Sequence, residues 1–427
     1  MRGLTQPGSS LLLVLCLALT ACGAAGRAGD AGPRAASDFR DSVGVNAHSV
    51  YFDTAYANWP RILTELKRLR VRHIRDGIFA SPGPQARGFN QRFYEAVDAA
   101  VAQGLHFDFV AGAPNNPTGT IDQLIGVAAT RLRAATESLE GPNEYDKGQP
   151  PGWAQALRNY QSSLFAAVRA QSALRGVPVV GPSLTGDTQT QLGSLTGALD
   201  VGNIHPYSGG NSPSSALLKR DLGAAAVVSG SKPVFATEAG FQNALSATTG
   251  QAPVPEDLAG IYVLRTLLEH FAAGIKRTYL YELIDEKPDA AANDPEQHFG
   301  LLRNDFSEKP AFTGVRNLLS LMGDARPPER LTPLALRLQG PGVRSLLLQR
   351  ADGKHLVVLW TDASLWDIAT RRRLKPAAQH VHVVIGANPT VTEYQPLQGV
   401  GGAAVPYRKA GLDLLLGSDP VVLELSG

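Results

Sequence analysis

The sequence predicts an α/β chain, a (β/α)8 barrel followed by a small C-terminal antiparallel β-sandwich. Three observations predict it. From about residue 39, short apolar runs alternate with amphipathic helical stretches, as in a parallel α/β fold. Eight such units fall within roughly 290 residues, the size of a barrel with modest loops. Beyond a Pro pair in Asp324-Ala-Arg-Pro-Pro-Glu329, the pattern changes to short alternating β-rich runs. A doubly wound sheet would carry fewer strands and often a Gly-rich phosphate turn after the first; no such turn is present.

The expected barrel strands run over residues 43–48, 71–75, 106–110, 136–140, 177–181, 200–205, 233–238 and 277–283. Each is a short run rich in apolar and β-branched residues, bounded by turn residues. Helical periodicity lies between them. Over 59–69 it places Ile62, Leu63, Leu66 and Leu69 on one face, and over 93–103 it ends at Gly104, a C-terminal cap. The stretches 155–174 and 256–273 follow the same pattern. The sandwich strands are expected over 344–349, 355–360, 380–385 and 421–425, separated by turns such as Asp352-Gly353.

The first residues read as a targeting segment. Arg2 supplies a positive charge, and Leu11 to Leu19 is an apolar run too short to span a membrane as a helix. Leu19-Thr20-Ala21-Cys22 then resembles the lipobox of bacterial lipoproteins, which implies acylation of Cys22 and attachment to a membrane. The expected organisation is a signal peptide over 1–21, a flexible tether over 22–37, the barrel over 38–325 and the sandwich over 326–427. The expected location is the bacterial cell envelope, lipid-anchored and extracytoplasmic, on the periplasmic or outer-membrane side. Cys16 and Cys22 are the only cysteines, so neither a disulfide framework nor a Cys-based metal site is expected.

Charge narrows the partners. The net charge is +2 and only 18% of residues are charged. Arg371-Arg372-Arg373 is the one basic run, expected as a solvated turn, and nucleic acid is not an expected partner. A neutral ligand such as a sugar fits this balance. The nine histidines form no spaced cluster, so no metal is expected, and the Gly-x-Ser-x-Gly elbow is absent.

Barrel chemistry sits at the C-terminal ends of the strands. Two glutamates lie there: Glu144 in Glu140-Gly-Pro-Asn-Glu144, just past the fourth strand, and Glu238 in Thr237-Glu238-Ala239-Gly240, at the tip of the seventh. These strands face one another across a barrel of eight, so two carboxylates converge on one cavity. Glycoside cleavage needs that arrangement, one carboxyl to protonate the leaving oxygen and one to attack the anomeric carbon or activate water.

Asn143-Glu144 after strand four with a lone Glu ending strand seven resembles the clan A glycoside hydrolases, over roughly residues 40 to 320. The β-xylosidase and exopolysaccharide-hydrolase group looks nearest. The resemblance implies that Glu144 is the acid/base and Glu238 the nucleophile of a retaining enzyme without cofactor. It further implies that Asn143 binds the hydroxyl beside the anomeric carbon, that His205 and Tyr207 of His-Pro-Tyr touch the nucleophile or substrate, and that Arg75 pairs with the nucleophile. Glu140 matches an acidic residue common in the clan. Where the clan often has a Trp sugar platform at the end of strand eight, this chain has Tyr281. His48, at the end of strand one, and Trp153, in the loop after strand four, are further expected substrate contacts. The expected partner is an extracytoplasmic poly- or oligosaccharide, β-linked or arabinofuranosyl-type. The other readings are a carbohydrate-binding lipoprotein without turnover and a partner in exopolysaccharide export.

Overall fold

The computed structural model describes residues 32–427 apart from 82, 84, 85 and 115–117. The expected signal peptide, and Cys22 with it, lie outside the described residues. Eight parallel strands form the barrel: β1 (Val43–Asn46), β2 (His73–Gly77), β3 (His106–Val110), β4 (Thr136–Glu140), β5 (Val179–Val180), β6 (Gly202–Ile204), β7 (Val234–Ala239) and β8 (Arg277–Leu280). β1 pairs with both β2 and β8, and the ring closes between β5 and β6 through the single bridge Val180–Val201. That seam is the most thinly paired in the ring. Pro178 has no N–H to give a ladder, so β5 is shorter than the expected 177–181.

The period of two along each strand decides what fills the barrel and what faces the helices. On β3, Phe107 and Phe109 stack at 4.9 Å on the outer face, and Phe109 meets Phe93 of the helix Arg87–Val101 at 6.2 Å. Asp108 between them turns the other way, and Ser138 of β4 donates to it at 2.6 Å. Ile74 of β2 and Leu139 of β4 likewise join the outer core, while Arg75 and Glu140 turn inward. Gly44 of β1 is required by packing: a Cβ there would lie 2.5 Å from the ring of Tyr279 on β8.

The helix Trp59–Leu69 shows how local signals set an element. Asn58 caps its start by accepting from the Arg61 N–H, and Pro60 occupies its first turn. Ile62, Leu63, Leu66 and Leu69 are all buried against the barrel, and Arg70 ends the helix at φ 68°.

Beyond the helix Pro310–Leu321, two antiparallel sheets stack. A three-stranded sheet (Leu336–Gln339, Gln379–Ile385, Leu412–Leu416) faces a six-stranded one containing Val343–Gln349, His355–Thr361 and Val421–Ser426. Val357, Leu359, Leu423 and Leu425 fill the space between the sheets. Their alternates Leu356, Val358, Trp360 and Val422 join the core of the barrel. The larger sheet is thus buried on both faces. The buried Arg265 of the helix Glu256–Ala272 crosses the junction, donating to the carbonyls of Ala363 and Ser418 at 2.7 and 2.8 Å.

Two expectations change here. Residues 34–37, expected in the tether, belong to the fold: Arg34–Ala35 pairs parallel to Val343–Gln349, and the Arg34 guanidinium lies 3.4 Å over the Phe271 ring. The arginine triplet is not merely a solvated turn. Arg371 donates to the carbonyls of Leu245 and Ala247, each at 2.6 Å, and Arg373 grips the Asp257 carboxylate through both nitrogens at 2.6 and 2.7 Å. Planar guanidinium groups suit such two-pronged contacts, so the β-rich region clasps the loop that follows β7 and the first turn of the helix Glu256–Ala272.

Candidate active site

At the C-terminal mouth of the barrel, Arg75 organises one wall. Its guanidinium has five N–H donors, and five contacts use them. Nε and Nη2 hold the two oxygens of Glu140, each at 2.8 Å; Nη2 also reaches Asn143 Oδ1 at 2.7 Å. Nη1 donates to Asn46 Oδ1 at 2.9 Å and Glu238 Oε1 at 2.7 Å. Asn203 and Thr237 add further donors to Glu140. Burial and the Glu140 carboxylate push the Asp108 carboxyl beneath it well above the ordinary carboxylate range.

Glu238 is the penultimate residue of β7 and is only 8% exposed. Burial alone would push its carboxyl up, but the His205 ring, the Arg75 guanidinium and a 2.8 Å hydrogen bond from the Tyr207 hydroxyl outweigh it and hold the carboxyl below its usual value. This environment favours the ionised carboxylate. Gly240, two residues on, lets β7 approach β8: a Cβ there would lie 2.1 Å from the Tyr281 carbonyl oxygen.

Glu144 approaches from the loop after β4. Its backbone is left-handed, φ 46°, a strained conformation for a residue with a side chain, of a kind that concentrates at functional sites. Its N–H donates to Ser183 Oγ at 3.1 Å. Its carboxyl contacts His205 Nδ1 at 2.8 Å, and the same nitrogen lies 3.5 Å from Glu238 Oε2. His205 Nε2 contacts Thr237 Oγ1 at 3.0 Å, which fixes the ring. One carboxyl oxygen from each of Glu144 and Glu238 lies within 4.8 Å of the other. Asn143 Oδ1 accepts from Arg75 and Ser183, which turns the amide NH2 away from them as an unused donor.

An aromatic wall leads from here to the β1–β8 side. Tyr207 meets Phe299 at 6.0 Å, Phe299 meets Tyr281 at 5.4 Å, and Tyr281 meets His48 at 5.9 Å. His48 stacks on Tyr51 at 4.4 Å, and Tyr51 is 40% exposed at the mouth.

The structure therefore gathers Asn143, Glu144, Arg75, His205, Tyr207, Glu238, Tyr281 and His48 into one cleft. Trp153 is not among them. It starts the helix Trp153–Ala170 and is buried with Leu157, Leu192, Leu195, Leu199 and Val228, where its large apolar surface supports the loop rather than offering a face to a ligand. Several residues of the cleft had no sequence signal strong enough to single them out: Ser183, Asn203, Thr237, Tyr51, Tyr56, Phe299 and Glu282. The readable hint was the polar residue at an inward strand position, as in Asn203 of β6 and Thr237 of β7. Among the described residues two groups also have the composition of a cation site, Glu144–His205–Glu238 and His48–Glu282–Glu286, which histidine spacing had not revealed. The first is already bonded to Arg75 and Tyr207.

No protein-family model matches the chain, and no curated protein does. Solved structures do resemble it. A family 39 glycoside hydrolase from Bacteroides cellulosilyticus aligns with TM-score 0.64 and 14% identity, covering 92% of this chain and 83% of that one. A monomeric β-xylosidase from Caulobacter crescentus aligns with TM-score 0.59 and 13% identity, over 93% and 97%. A glucosidase from Croceicoccus marinus aligns with TM-score 0.57 and 12% identity, over 91% and 96%. At these identities the likeness is one of fold: a barrel of eight parallel strands with antiparallel sheets behind it.

Proposed function

We propose that the chain is a retaining glycoside hydrolase that cleaves O-glycosidic bonds of an extracytoplasmic poly- or oligosaccharide, β-linked or arabinofuranosyl-type. The observation that carries this reading is the approach of Glu144 and Glu238 to within 4.8 Å across a shared imidazole. Retaining enzymes hold their carboxyl groups about 5–5.5 Å apart, whereas inverting ones leave about 6.5–9.5 Å for a water. The xylosidase and glucosidase among the structures of like fold support cleavage of a glycosidic bond.

In this reading Glu144 gives its proton to the glycosidic oxygen as the bond to the anomeric carbon breaks. Glu238, kept ionised by Arg75 and Tyr207, forms a bond to that carbon from the opposite face. The leaving alcohol departs with the proton. Glu144, now a carboxylate, takes a proton from water, whose oxygen displaces Glu238. Two displacements restore the starting configuration, and the Asn143 amide is placed to donate to the neighbouring hydroxyl.

The test is hydrolysis of aryl glycosides and bacterial polysaccharides by the full-length protein beside Glu144→Ala and Glu238→Ala. Loss on the order of 10^4-fold or more in kcat for both variants is expected. Added azide should rescue Glu144→Ala as a glycosyl azide of retained configuration. A product of inverted configuration would refute the mechanism, and tight glycan binding without turnover would favour a carbohydrate-binding role.

We further propose attachment to the cell envelope through acyl chains on Cys22, on the strength of Leu19-Thr20-Ala21-Cys22. Cells fed an alkynyl fatty acid should label the wild type and leave Cys22→Ser unlabelled. Equal labelling of both would sink the anchor.

A further inference from the structure

On the β1–β8 side of the cleft three side chains converge: His48 just past β1, Glu282 just past β8 and Glu286 in the loop that follows. One nitrogen or carboxyl oxygen of each lies within 4.8 Å of the others. Glu282 is wholly buried. The Tyr56 hydroxyl donates to its Oε2 at 2.8 Å, and His48 Nε2 lies 3.3 Å from that oxygen. Its Oε1 is buried with no hydrogen-bond partner, and His48 Nε2 likewise makes no well-formed hydrogen bond. A buried acceptor left without a donor carries a desolvation cost on the order of 1–3 kcal/mol, more when charged. A ligand that brings donors would satisfy that oxygen.

The surroundings say what sign that ligand carries. Burial pushes the Glu286 carboxyl up to about 7, with Glu282 adding to it; Glu296 is pushed up by burial and by Glu282. Burial would lower the His48 imidazole, but Glu282, Asp76 and Glu286 outweigh it and raise it. Lys287, the nearest lysine in sequence, turns away to Asp53 at 2.6 Å. The corner gathers several carboxylates around a single imidazole, that of His48. It also shares the cleft with the nucleophile: after burial, Glu282 and Glu238 are the first charges that push the Tyr281 hydroxyl up.

We propose that this corner is a subsite for a cationic sugar, a hexosamine unit whose free ammonium is held by Glu282, Glu286 and His48, making the substrate an amino-sugar glycan. The inference rests on the glycosidase reading and names its substrate class. An ammonium carries three N–H donors in a compact head, and three acceptors converge here. With the cation bound, the His48 ring is neutral and accepts through Nε2, its proton having passed to solvent. A uronic acid would bring a like charge to the same corner and is disfavoured.

Two measurements on the full-length protein test this at pH 7. The first compares kcat/KM on matched glycosides bearing a free amine, an N-acetyl group, a hydroxyl or a uronate. The wild type should favour the free amine over its hydroxyl partner by about ten-fold or more, equivalent to about 1.4 kcal/mol. Glu286→Gln should bring that ratio towards one, and Glu286→Asp should restore part of it. The second is calorimetric binding of glucosamine, glucose, calcium and zinc to Glu238→Gln. Glucosamine should bind and glucose should bind at least ten-fold more weakly. Neutral glycosides cleaved with no preference for the amine, and a ratio unmoved by Glu286→Gln, would overturn the subsite while leaving the glycosidase standing. Zinc or calcium bound stoichiometrically through Glu286, with no preference for the amine, would overturn it in favour of a metal. Glucosamine bound but no glycoside cleaved would keep the subsite and remove the glycosidase.

Discussion

On the wall built by β2, β4 and β7, one guanidinium reaches Glu140, Glu238, Asn46 and Asn143, and each of its N–H groups is used. On the wall built by the ends of β1 and β8, Glu282 and Glu286 share one imidazole, and a buried carboxylate oxygen is left without a donor. The two walls contain the same residue types in the same barrel. The first has its charges fixed before any substrate arrives, which suits a nucleophile whose position and ionisation must not drift. The second leaves a buried acceptor open, which on the proposed reading suits a surface that chooses among sugars. On the proposed reading, pre-organisation and recognition are divided between neighbouring strands, and the aromatic run from Tyr207 to Tyr51 joins them.

The contrast is broken most severely by Arg75→Met. It leaves the Glu140 and Glu238 carboxylates buried without their cation, a change that costs about 3–5 kcal/mol. Denaturant melts should show a loss of that size. Because Glu238 loses a charge that holds its carboxyl down, the acid limb of kcat/KM should move to higher pH. Arg75→Lys restores a charge without the fork and should lie between the two. An Arg75→Met protein as stable as the wild type, with an unmoved acid limb, would mean that the first wall is not organised by this side chain.

Much of this was legible in the residues and some was not, for reasons that follow from distance. Asp108 between Phe107 and Phe109 announces an inward polar position, because a period of two separates one polar residue from two apolar neighbours. Glu144 and Glu238 were legible because each lies at a strand end and the strand count puts them opposite one another. Strand lengths were less so. β8 ends at Leu280 rather than 283, yet Tyr281 and Leu283 still donate to Ala239 and Asn46 at 2.9 and 3.1 Å. The His48–Glu282–Glu286 corner joins residues more than 230 positions apart, and no spacing rule reaches that far. Trp153 shows the converse: an aromatic in a loop after a catalytic strand has a plausible ligand role by position, and only packing shows its ring buried among leucines.

The gentlest way to sharpen the comparison is the pH dependence of stability on the second wall. Glu286 lies near Glu282, His48, Glu296 and Lys287, and its carboxyl is raised from 4.5 to about 7. Between those values the folded protein binds a proton that the unfolded chain has released. The contribution of Glu286 to stability therefore falls as pH rises through this window, and is level below about 4.5 and above about 7. Glu286→Gln has no such proton to lose. Its melting temperature relative to the wild type should rise between pH 4.5 and 7, by on the order of 1 °C because the carboxyl is partly exposed and screened. Asp285, pushed up to about 6 by burial against the pull of Lys309, titrates in both proteins and drops out of the difference. Paired thermal melts across pH 4 to 8 measure the gap. A gap that stays flat would show that Glu286 is already neutralised by a partner, which would erase the distinction between the two walls; a gap that closes when glucosamine is added would tie the Glu286 carboxyl to the proposed amino-sugar subsite.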